Sequence, residues 1–156
     1  MAKRSAGLLM YRQRDDGIEV FLVHPGGPYW VKKDDGAWSI PKGEYDSSED
    51  SLAAAKREFQ EETGFLPAGD FIDLGESKQP GGKIVHVWAL EGDCDPARLR
   101  SNTFTMVWPP RSGRQIDVPE VDRGCWYPIR EARIKLLAGQ RPFLDRVIDQ
   151  LGALPE

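Results

Sequence analysis

Two short apolar runs at the start of the chain have the length of β-strands. They cover residues 5–11 and 18–24, and the turn signal Asp15-Asp16-Gly17 lies between them. Gly and Asp between two apolar runs are typical of a tight connection. The pattern therefore predicts a β-hairpin.

The most strongly helical pattern lies over residues 48–63. This stretch contains no glycine or proline, alanine is frequent, and Gly64 follows where a C-terminal cap is expected. At about 100° per residue, Leu52, Ala55 and Phe59 fall on one side of the helix. We expect this apolar side to lie against a sheet.

The later part of the chain predicts further strands and two more helices. In the strand predicted over residues 103–108, Phe104, Met106 and Trp108 recur at every second position, which predicts one face in a core. Helices are expected over residues 129–137 and 142–151, the second with proline in its first turn. The other predicted strands are 71–74, 83–90 and 124–127.

This order of elements predicts an α/β protein. Strands with one central helix and a terminal helical pair favour a mixed sheet covered by helices on both faces. The chain has 156 residues, about the length of one domain. We therefore expect residues 1–156 to form a single domain.

Composition and charge exclude several classes of protein. Hydrophobic residues make up 40% and charged residues 29% of the chain, which is ordinary for a globular domain. Lys plus Arg total 21 against 25 for Asp plus Glu, so general nucleic-acid binding is not expected. No apolar run approaches the roughly 20 residues of a membrane span. Cys94 and Cys125 lack metal-ligand spacing and fit free thiols in a reducing cytoplasm, with a disulfide between them as the alternative.

Three glutamates are the strongest chemical signal on the central helix. Glu58, Glu61 and Glu62 stand at positions i, i+3 and i+4 and therefore share a face. Their mutual repulsion is relieved by a hard divalent cation, since Mg²⁺ prefers oxygen ligands. The alternative is a solvated charged face, which is the ordinary meaning of clustered glutamates.

The segment 43–65 resembles the signature of the Nudix hydrolases. The pattern is Gly, five residues, Glu, seven residues, then Arg-Glu, an apolar residue, any residue, Glu-Glu, any residue, Gly and an apolar residue. Every position is filled without a gap, by Gly43, Glu49, Arg57, Glu58, Phe59, Glu61, Glu62, Gly64 and Phe65. The resemblance implies a Nudix-type α/β/α sandwich, with a mixed sheet between helices.

The same resemblance implies roles for individual residues. Glu61 and Glu62 match residues that hold Mg²⁺ or Mn²⁺, and the carbonyl of Gly43 matches a further ligand. Glu58 matches a residue that holds a metal or accepts a proton from water. Arg57, four residues before Glu61, matches a residue that orients the carboxylates. A glycine at position 43 is also expected to permit a tight turn and a close approach of the backbone.

Two acidic residues lie at the margins of this site. Glu49 stands near the predicted helix start, where it could favour the positive end of the helix dipole. The resemblance implies a structural, supporting role for it, and a direct metal role is not expected. Glu120 lies before a late strand whose entry resembles that of Nudix domains. It is the second candidate for the general base after Glu58, with an exposed loop glutamate as the alternative.

The expected reaction is attack of water on a phosphoanhydride, with metal-held oxygens compensating its charge. The absence of a Gly-x-Ser-x-Gly elbow and of a Walker A motif agrees with a reaction that needs no covalent nucleophile. With only His24 and His86, a histidine-based phosphotransfer triad is excluded, and His86 is read as a packed or surface residue.

Residues outside the signature give hints about the substrate. Lys42 precedes Gly43 in a Trp-x-x-Pro-Lys-Gly run that resembles the dinucleoside polyphosphate hydrolases, although Trp38 and Ile40 also fit a core. Tyr29 and Trp30, next to two lysines, are candidates for stacking on a nucleobase. Arg111 and Arg114, beside a glycine, are weaker candidates of the same kind.

The resemblance favours a dinucleoside polyphosphate or a nucleoside triphosphate as substrate, hydrolysed in a nucleoside diphosphate linked to another moiety. Sugar nucleotides and a capped RNA end stay open. Two rivals are a Nudix domain that senses or binds nucleotides without turnover and a structural metal-binding domain. The sequence predicts no particular oligomeric state.

Overall fold

The first two strands and a distant one build the centre of the fold. The computed structural model describes residues 3–152, within which eight strands and three α-helices lie. The helices are α1 (Ser51–Thr63), α2 (Ile129–Lys135) and α3 (Pro142–Leu151). The strands are β1 (Arg4–Arg14), β2 (Gly17–Pro25), β3 (Lys42–Tyr45), β4 (Phe71–Lys78), β5 (Ile84–Glu91), β6 (Thr103–Val107), β7 (Gln115–Pro119) and β8 (Val121–Pro128).

The main sheet is mixed and has the order β4-β5-β1-β2-β8. β1 runs parallel to β5, whereas its pairings with β2 and β3 are antiparallel. β2 pairs with the end of β1 and β3 pairs with its beginning, from Arg4 to Gly7. Because β2 and β3 share one edge of β1, β3 is fixed directly beside the sheet.

Helices cover both faces of this sheet. Ala54, Ala55 and Phe59 of α1 are fully buried against one face, together with Leu8 and Phe21. The other face packs against α2 and α3 and contains Trp38 and Ile40 in its core, the second of the two readings that the sequence allowed. The predicted α/β/α sandwich is confirmed.

Most element predictions are confirmed, with shifted ends. The β1–β2 hairpin turns at Asp15-Asp16, since Arg14 pairs with Gly17. Helix α1 begins at Ser51 rather than at residue 48, because the side chain of Asp50 caps it by accepting the Ala53 N–H at 2.8 Å. Gly64 is the left-handed C-cap, with φ 79°. Strands β3 and β7 have no counterpart among the predicted elements.

The expectation for residues 103–108 is wrong in one respect. β6 pairs only with β7, in a separate two-stranded sheet, and Phe104 remains 41% exposed. The apolar face of this hairpin packs over the loop after β2, where Met106 and Val118 lie close to Gly27. Alternation identified the strand, but its apolar face covers a loop instead of the main core.

Two further predictions concern cysteine and the membrane. Cys94 and Cys125 are both free, as predicted. None of the helices between residues 3 and 152 has the length and apolar character that a membrane span requires.

Candidate functional site

A cavity of about 390 Å³ opens beside the strand β3 and the middle of α1. Four residues selected from the sequence line it: Lys42, Gly43, Glu58 and Glu120. They come from β3, from α1 and from the junction of β7 and β8, so the fold brings together three separated parts of the chain. Glu61, Glu62, Tyr29 and Trp30 do not line this cavity.

The carboxylate of Glu58 lies so close to Gly43 that position 43 has no space for a side chain. A Cβ built on Gly43 would lie 1.6 Å from Oε1 of Glu58 and 2.0 Å from its carboxylate carbon. Gly43 pairs with Ala6 in the sheet and therefore stands in a strand, so the expected tight turn is wrong. The absence of a side chain makes room for the carboxylate instead.

Arg57 ties the acidic residues of the signature together. Its Nε and Nη2 each donate to the Glu49 carboxylate at 2.9 Å. Its Nη1 donates to Glu58 at 2.7 Å and, more weakly, to Glu61 at 3.3 Å. The predicted pairing with Glu61 is therefore confirmed. The hydrogen bonds to the Glu49 carboxylate raise the pKa of the Arg57 guanidinium above its already high usual value.

Glu49 supports Arg57, which agrees with the structural role that the resemblance implies for it. It precedes α1, whose N-cap is Asp50. The bond from Arg57 lowers the pKa of the Glu49 carboxyl. Glu49 therefore forms a bidentate ion pair that orients Arg57, the geometry in which guanidinium–carboxylate pairs are strongest. The helix dipole is not needed to explain its position.

Glu58 and Glu62 are carboxylates in a poorly solvated environment. Only 8% of Glu58 and 7% of Glu62 is exposed. Burial, followed by the nearby Glu61, raises the pKa of Glu58 to about 7, although Arg57 opposes the shift. Burial, followed by the charges of Glu120 and Glu58, raises the pKa of Glu62 to about 8. For both groups, burial and the neighbouring carboxylates outweigh the positive charge that Arg57 and Lys42 supply.

This electrostatic state fits a divalent cation. The available donors are carboxylate and carbonyl oxygens, the ligands that Mg²⁺ and Mn²⁺ prefer. A cation relieves the same repulsion and desolvation that otherwise favour protonation of Glu58 and Glu62. Between residues 3 and 152, no three His, Cys, Asp or Glu side chains are already grouped as a metal site. The ligand assignments to Gly43, Glu58, Glu61 and Glu62 therefore stay predictions.

Glu120 is fixed to both sides of the site by backbone hydrogen bonds. Its N–H donates to the Asn102 carbonyl at 2.9 Å, and the Asn102 N–H donates to the Glu61 carbonyl at 2.8 Å. The carbonyl of Glu120 accepts the Gly26 N–H at 2.9 Å. Asn102 thus links the end of α1 to Glu120. Both candidate bases, Glu58 and Glu120, lie on one cavity.

The beginning of α1 is anchored by residues that sequence patterns did not select for this purpose. Ser51 Oγ is hydrogen-bonded to His86 Nδ1 at 2.8 Å and accepts the Trp88 Nε1–H at 3.0 Å. His86 Nε2 lies 2.6 Å from a carboxylate oxygen of Asp73. His86 is thus a packed residue that joins the helix to β4 and β5.

Lys42 supplies a cation at the edge of the cavity. Burial lowers the pKa of its ammonium, while the charge of Glu62 opposes that shift. A second lysine, Lys83, also lines the cavity. It lies in the connection between β4 and β5, where no sequence motif indicates a functional role. Gln140 was missed as well. It is 1% exposed and its side-chain oxygen accepts the Ile40 N–H at 2.8 Å, which holds the segment leading to Lys42.

The aromatic candidates lie on a neighbouring surface. Tyr29 is 57% exposed and contacts Trp108 of the β6–β7 connection, with ring centroids 5.1 Å apart. Trp30 is half-buried, and Lys33 Nζ lies 5.2 Å from its ring centroid. Neither ring lines the cavity, although the N–H of Gly26, three residues before Tyr29, donates to the carbonyl of Glu120.

Comparison with known proteins agrees with this geometry. A family model described as NUDIX domain matches residues 1–149. The NUDIX domain of Shewanella oneidensis NrtR, complexed with ADP ribose, is similar with TM-score 0.65 and 14% identity, covering 97% of this chain and 89% of that chain. The binary complex of C. elegans Ap4A hydrolase has TM-score 0.65 and 22% identity, covering 95% of this chain and 98% of that chain.

The E. coli ORF135 protein is a third similar structure, with TM-score 0.59, 18% identity and coverage of 99% of this chain and 95% of that chain. At these identities the structural likeness shows the fold. The family model adds a match in sequence over nearly the whole length. Together with the complete signature in β3 and α1, it shows that this chain belongs to the NUDIX domain family.

Proposed function

We propose that residues 1–156 act as one Nudix hydrolase domain that cleaves a phosphoanhydride in a nucleoside diphosphate linked to another moiety. The observation that carries the proposal is the pair of buried carboxylates, Glu58 and Glu62, whose pKa values are raised to about 7 and about 8 beside a cavity lined by Lys42. Such a pair is costly in a purely structural site, because buried charges are normally compensated. It suits a site that is completed by a cation and a phosphate.

The proposed cofactor is Mg²⁺ or Mn²⁺. The residues that would hold it are Glu58, Glu61 and Glu62, with the backbone carbonyl of Gly43. When bound, a divalent ion lowers the pKa of a water molecule and compensates charge on a pyrophosphate.

The chain's own residues have distinct proposed tasks. Arg57 holds Glu58 and Glu61 in place through the bonds described above. Glu58 accepts a proton from the attacking water, and Glu120 is the alternative base because it faces the same cavity. Lys42 places positive charge beside the substrate phosphates.

The favoured substrates are a dinucleoside polyphosphate and a nucleoside triphosphate. The Trp-x-x-Pro-Lys-Gly run before the signature supports the first of these. The names of two similar structures also mention nucleotides, since one is an Ap4A hydrolase and the other is a domain complexed with ADP ribose. Tyr29 and Trp30 are proposed to contact the base.

The activity is tested by incubating the protein with a panel of nucleotides and Mg²⁺, followed by chromatography and phosphorus NMR. Cleavage that is lost in Glu62→Gln and with a chelator, but kept in Glu131→Gln on the exposed side of α2, is the expected result. Tight nucleotide binding without product would instead support a sensing domain. Failure to bind or cleave any nucleotide would refute both functions.

A second experiment assigns the base. We expect Glu58→Gln to reduce kcat by roughly 10²-fold or more with little change in KM, as removal of a general base does. A large loss in Glu120→Gln with little loss in Glu58→Gln would move the role to Glu120.

A further inference from the structure

Two distant segments join to form an aromatic surface. Tyr29, in the loop after β2, and Trp108, at the end of β6, are in edge-to-face contact with ring planes at 82°. More than half of Tyr29, 57%, is exposed. Exposed aromatic rings that are held by a neighbour offer stacking faces at low entropic cost.

Basic residues lie on the same two loops as these rings. The Trp108 N–H donates to the Arg114 carbonyl at 2.9 Å, so Arg114 lies directly across the hairpin from Trp108. The basic residues of this region are all exposed: Lys32, Lys33, Arg111 and Arg114. Of the ion pairs found within residues 3–152, none involves any of these four. We call this surface, formed by Tyr29, Trp30, Trp108 and the four basic residues, the aromatic–basic patch.

The acidic groups near the aromatic–basic patch are already engaged. Asp117 accepts the Thr105 hydroxyl at 2.7 Å, and Asp122 lies 2.9 Å from His24 Nδ1. Asp34 accepts both the Trp38 Nε1–H and the Lys135 ammonium. These carboxylates therefore have partners other than the four basic side chains of the patch, and those side chains are available to an anion.

One backbone hydrogen bond links the loop that carries Tyr29 to a residue of the proposed catalytic cavity. The Gly26 N–H donates to the carbonyl of Glu120, which lines that cavity. Tyr29 follows Gly26 by three residues, so their Cα atoms lie within about 11 Å of each other. Among the described residues that line the cavity itself, none is aromatic. A nucleobase bound near the cavity thus finds its stacking partners on the patch.

We propose that the aromatic–basic patch binds the nucleobase and an adjoining phosphate of the substrate. This inference rests on the proposed hydrolase function and assigns its recognition element to the β6–β7 hairpin together with the loop after β2. Tyr29, held in place by Trp108, stacks on the base, and Arg114 contacts the phosphate. The hairpin, which contributes nothing to the main sheet, acquires a specificity role.

Binding of nucleoside monophosphates tests the patch independently of turnover. A nucleoside monophosphate contains no phosphoanhydride, so its affinity for the intact protein can be measured by calorimetry and by tryptophan fluorescence. Ribose 5-phosphate is the matched ligand without a base. We expect at least one of AMP, GMP, CMP and UMP to bind more tightly than ribose 5-phosphate.

Substitutions then locate the binding. Tyr29→Ala should weaken the monophosphate about tenfold to hundredfold, the range for loss of one stacked ring. Trp108→Ala, which removes the neighbour that holds Tyr29, should also weaken it, and both variants should leave ribose 5-phosphate unchanged. Phe104→Ala, which truncates another exposed ring of the same hairpin, is the control and should have no effect. Tyr29→Phe and Trp108→Phe should restore binding. Thermal unfolding of each variant separates loss of the ring from loss of the hairpin.

The charged part of the patch has its own test. Arg114→Gln should weaken the monophosphate and ribose 5-phosphate by similar factors of about three to ten and reduce the salt dependence. Arg130→Gln, an exposed arginine on α2, is the matched control.

Three results would overturn the proposal: equal affinity for monophosphates and ribose 5-phosphate, full affinity in folded Tyr29→Ala and Trp108→Ala, or an effect of Phe104→Ala as large as theirs. Failure of the hydrolase function is recognised separately. In that case no nucleotide is cleaved, while base-dependent binding and its loss in Tyr29→Ala are still seen.

Discussion

Replacing Gly43 by alanine tests the packing that positions Glu58. The added Cβ would stand 1.6 Å from Oε1 of Glu58, whereas real Cβ contacts essentially never fall below 3.0 Å, so the carboxylate must move by about 1.4 Å. That displacement competes with the 2.7 Å bond from Arg57. Misplacement of a reacting group by about 1 Å costs about 10²-fold in rate, and overpacking costs about 1–3 kcal/mol of stability.

The expected result of Gly43→Ala is therefore a fall in kcat of about 10²-fold and a lower free energy of unfolding. Kinetics with the nucleotide that the panel identifies and urea denaturation measure the two effects. Gly92→Ala is the matched control, because its Cβ would meet only the flexible side chain of Met10, at 3.1 Å. In general, glycine to alanine at a compatible position slightly stabilises a protein, so a loss of stability is specific to the clash.

A double-mutant cycle identifies the colliding group. Removing the carboxylate by Glu58→Ala leaves the new methyl group with space, so Gly43→Ala should cost much less stability in that background. We expect a coupling of about 1–3 kcal/mol between the two positions. Equal costs in both backgrounds, or wild-type kcat and stability in Gly43→Ala, would show that Glu58 does not depend on the glycine.

Three further predictions follow from other contacts of the site. Arg57→Lys keeps the charge but loses the bidentate bonds to Glu49. Steady-state kinetics should show kcat reduced about 10- to 100-fold, the effect typical of supporting residues around a metal site. An unchanged kcat would contradict this prediction. Gln140→Leu leaves the buried Ile40 N–H without its acceptor and should lower the free energy of unfolding by about 1–3 kcal/mol, while the exposed control Gln150→Leu should not. Burial raises the pKa of Glu62 from 4.5 to about 8. Between these two pH values the folded state holds a proton that the unfolded state releases. Without metal, the Tm should therefore fall as the pH rises from 4.5 to about 8. Mg²⁺ should raise the Tm most at the upper end of this pH range, where the carboxylate ligands are ionised. Glu62→Gln should flatten both the pH dependence of the Tm and the pH dependence of its rise with Mg²⁺. A wild-type Tm that is independent of pH would refute the raised pKa of Glu62.

The fold was largely predictable because local patterns carry it. The β1–β2 hairpin follows from two apolar runs and a turn, and α1 follows from its uninterrupted periodicity and the glycine cap. Strand β3 was not predictable by these means. It has only four residues, from Lys42 to Tyr45, and three of them are polar or glycine. Its pairing with β1 is a long-range contact that sequence periodicity does not contain.

The site divides in the same way. The signature predicted Gly43, Arg57 and Glu58 together, because their roles depend on spacing along one strand–loop–helix segment. Lys83 and Gln140 reach the cavity from elements that lie far along the chain, and neither residue type is unusual by itself. Residues of this kind become recognisable only when the chain is folded.

The sequence by itself determined the helix with its three glutamates, the arginine in reach of them and the family to which they belong. All of these depend on the order of residues within one short segment, about as many residues as six helical turns contain. The tertiary structure alone decided which carboxylates are buried, why position 43 has no side chain, and that Trp108 meets Tyr29. Burial and electrostatic shifts depend on what surrounds a group in space. Those surroundings come from segments that share no local pattern, so only the packed chain fixes them.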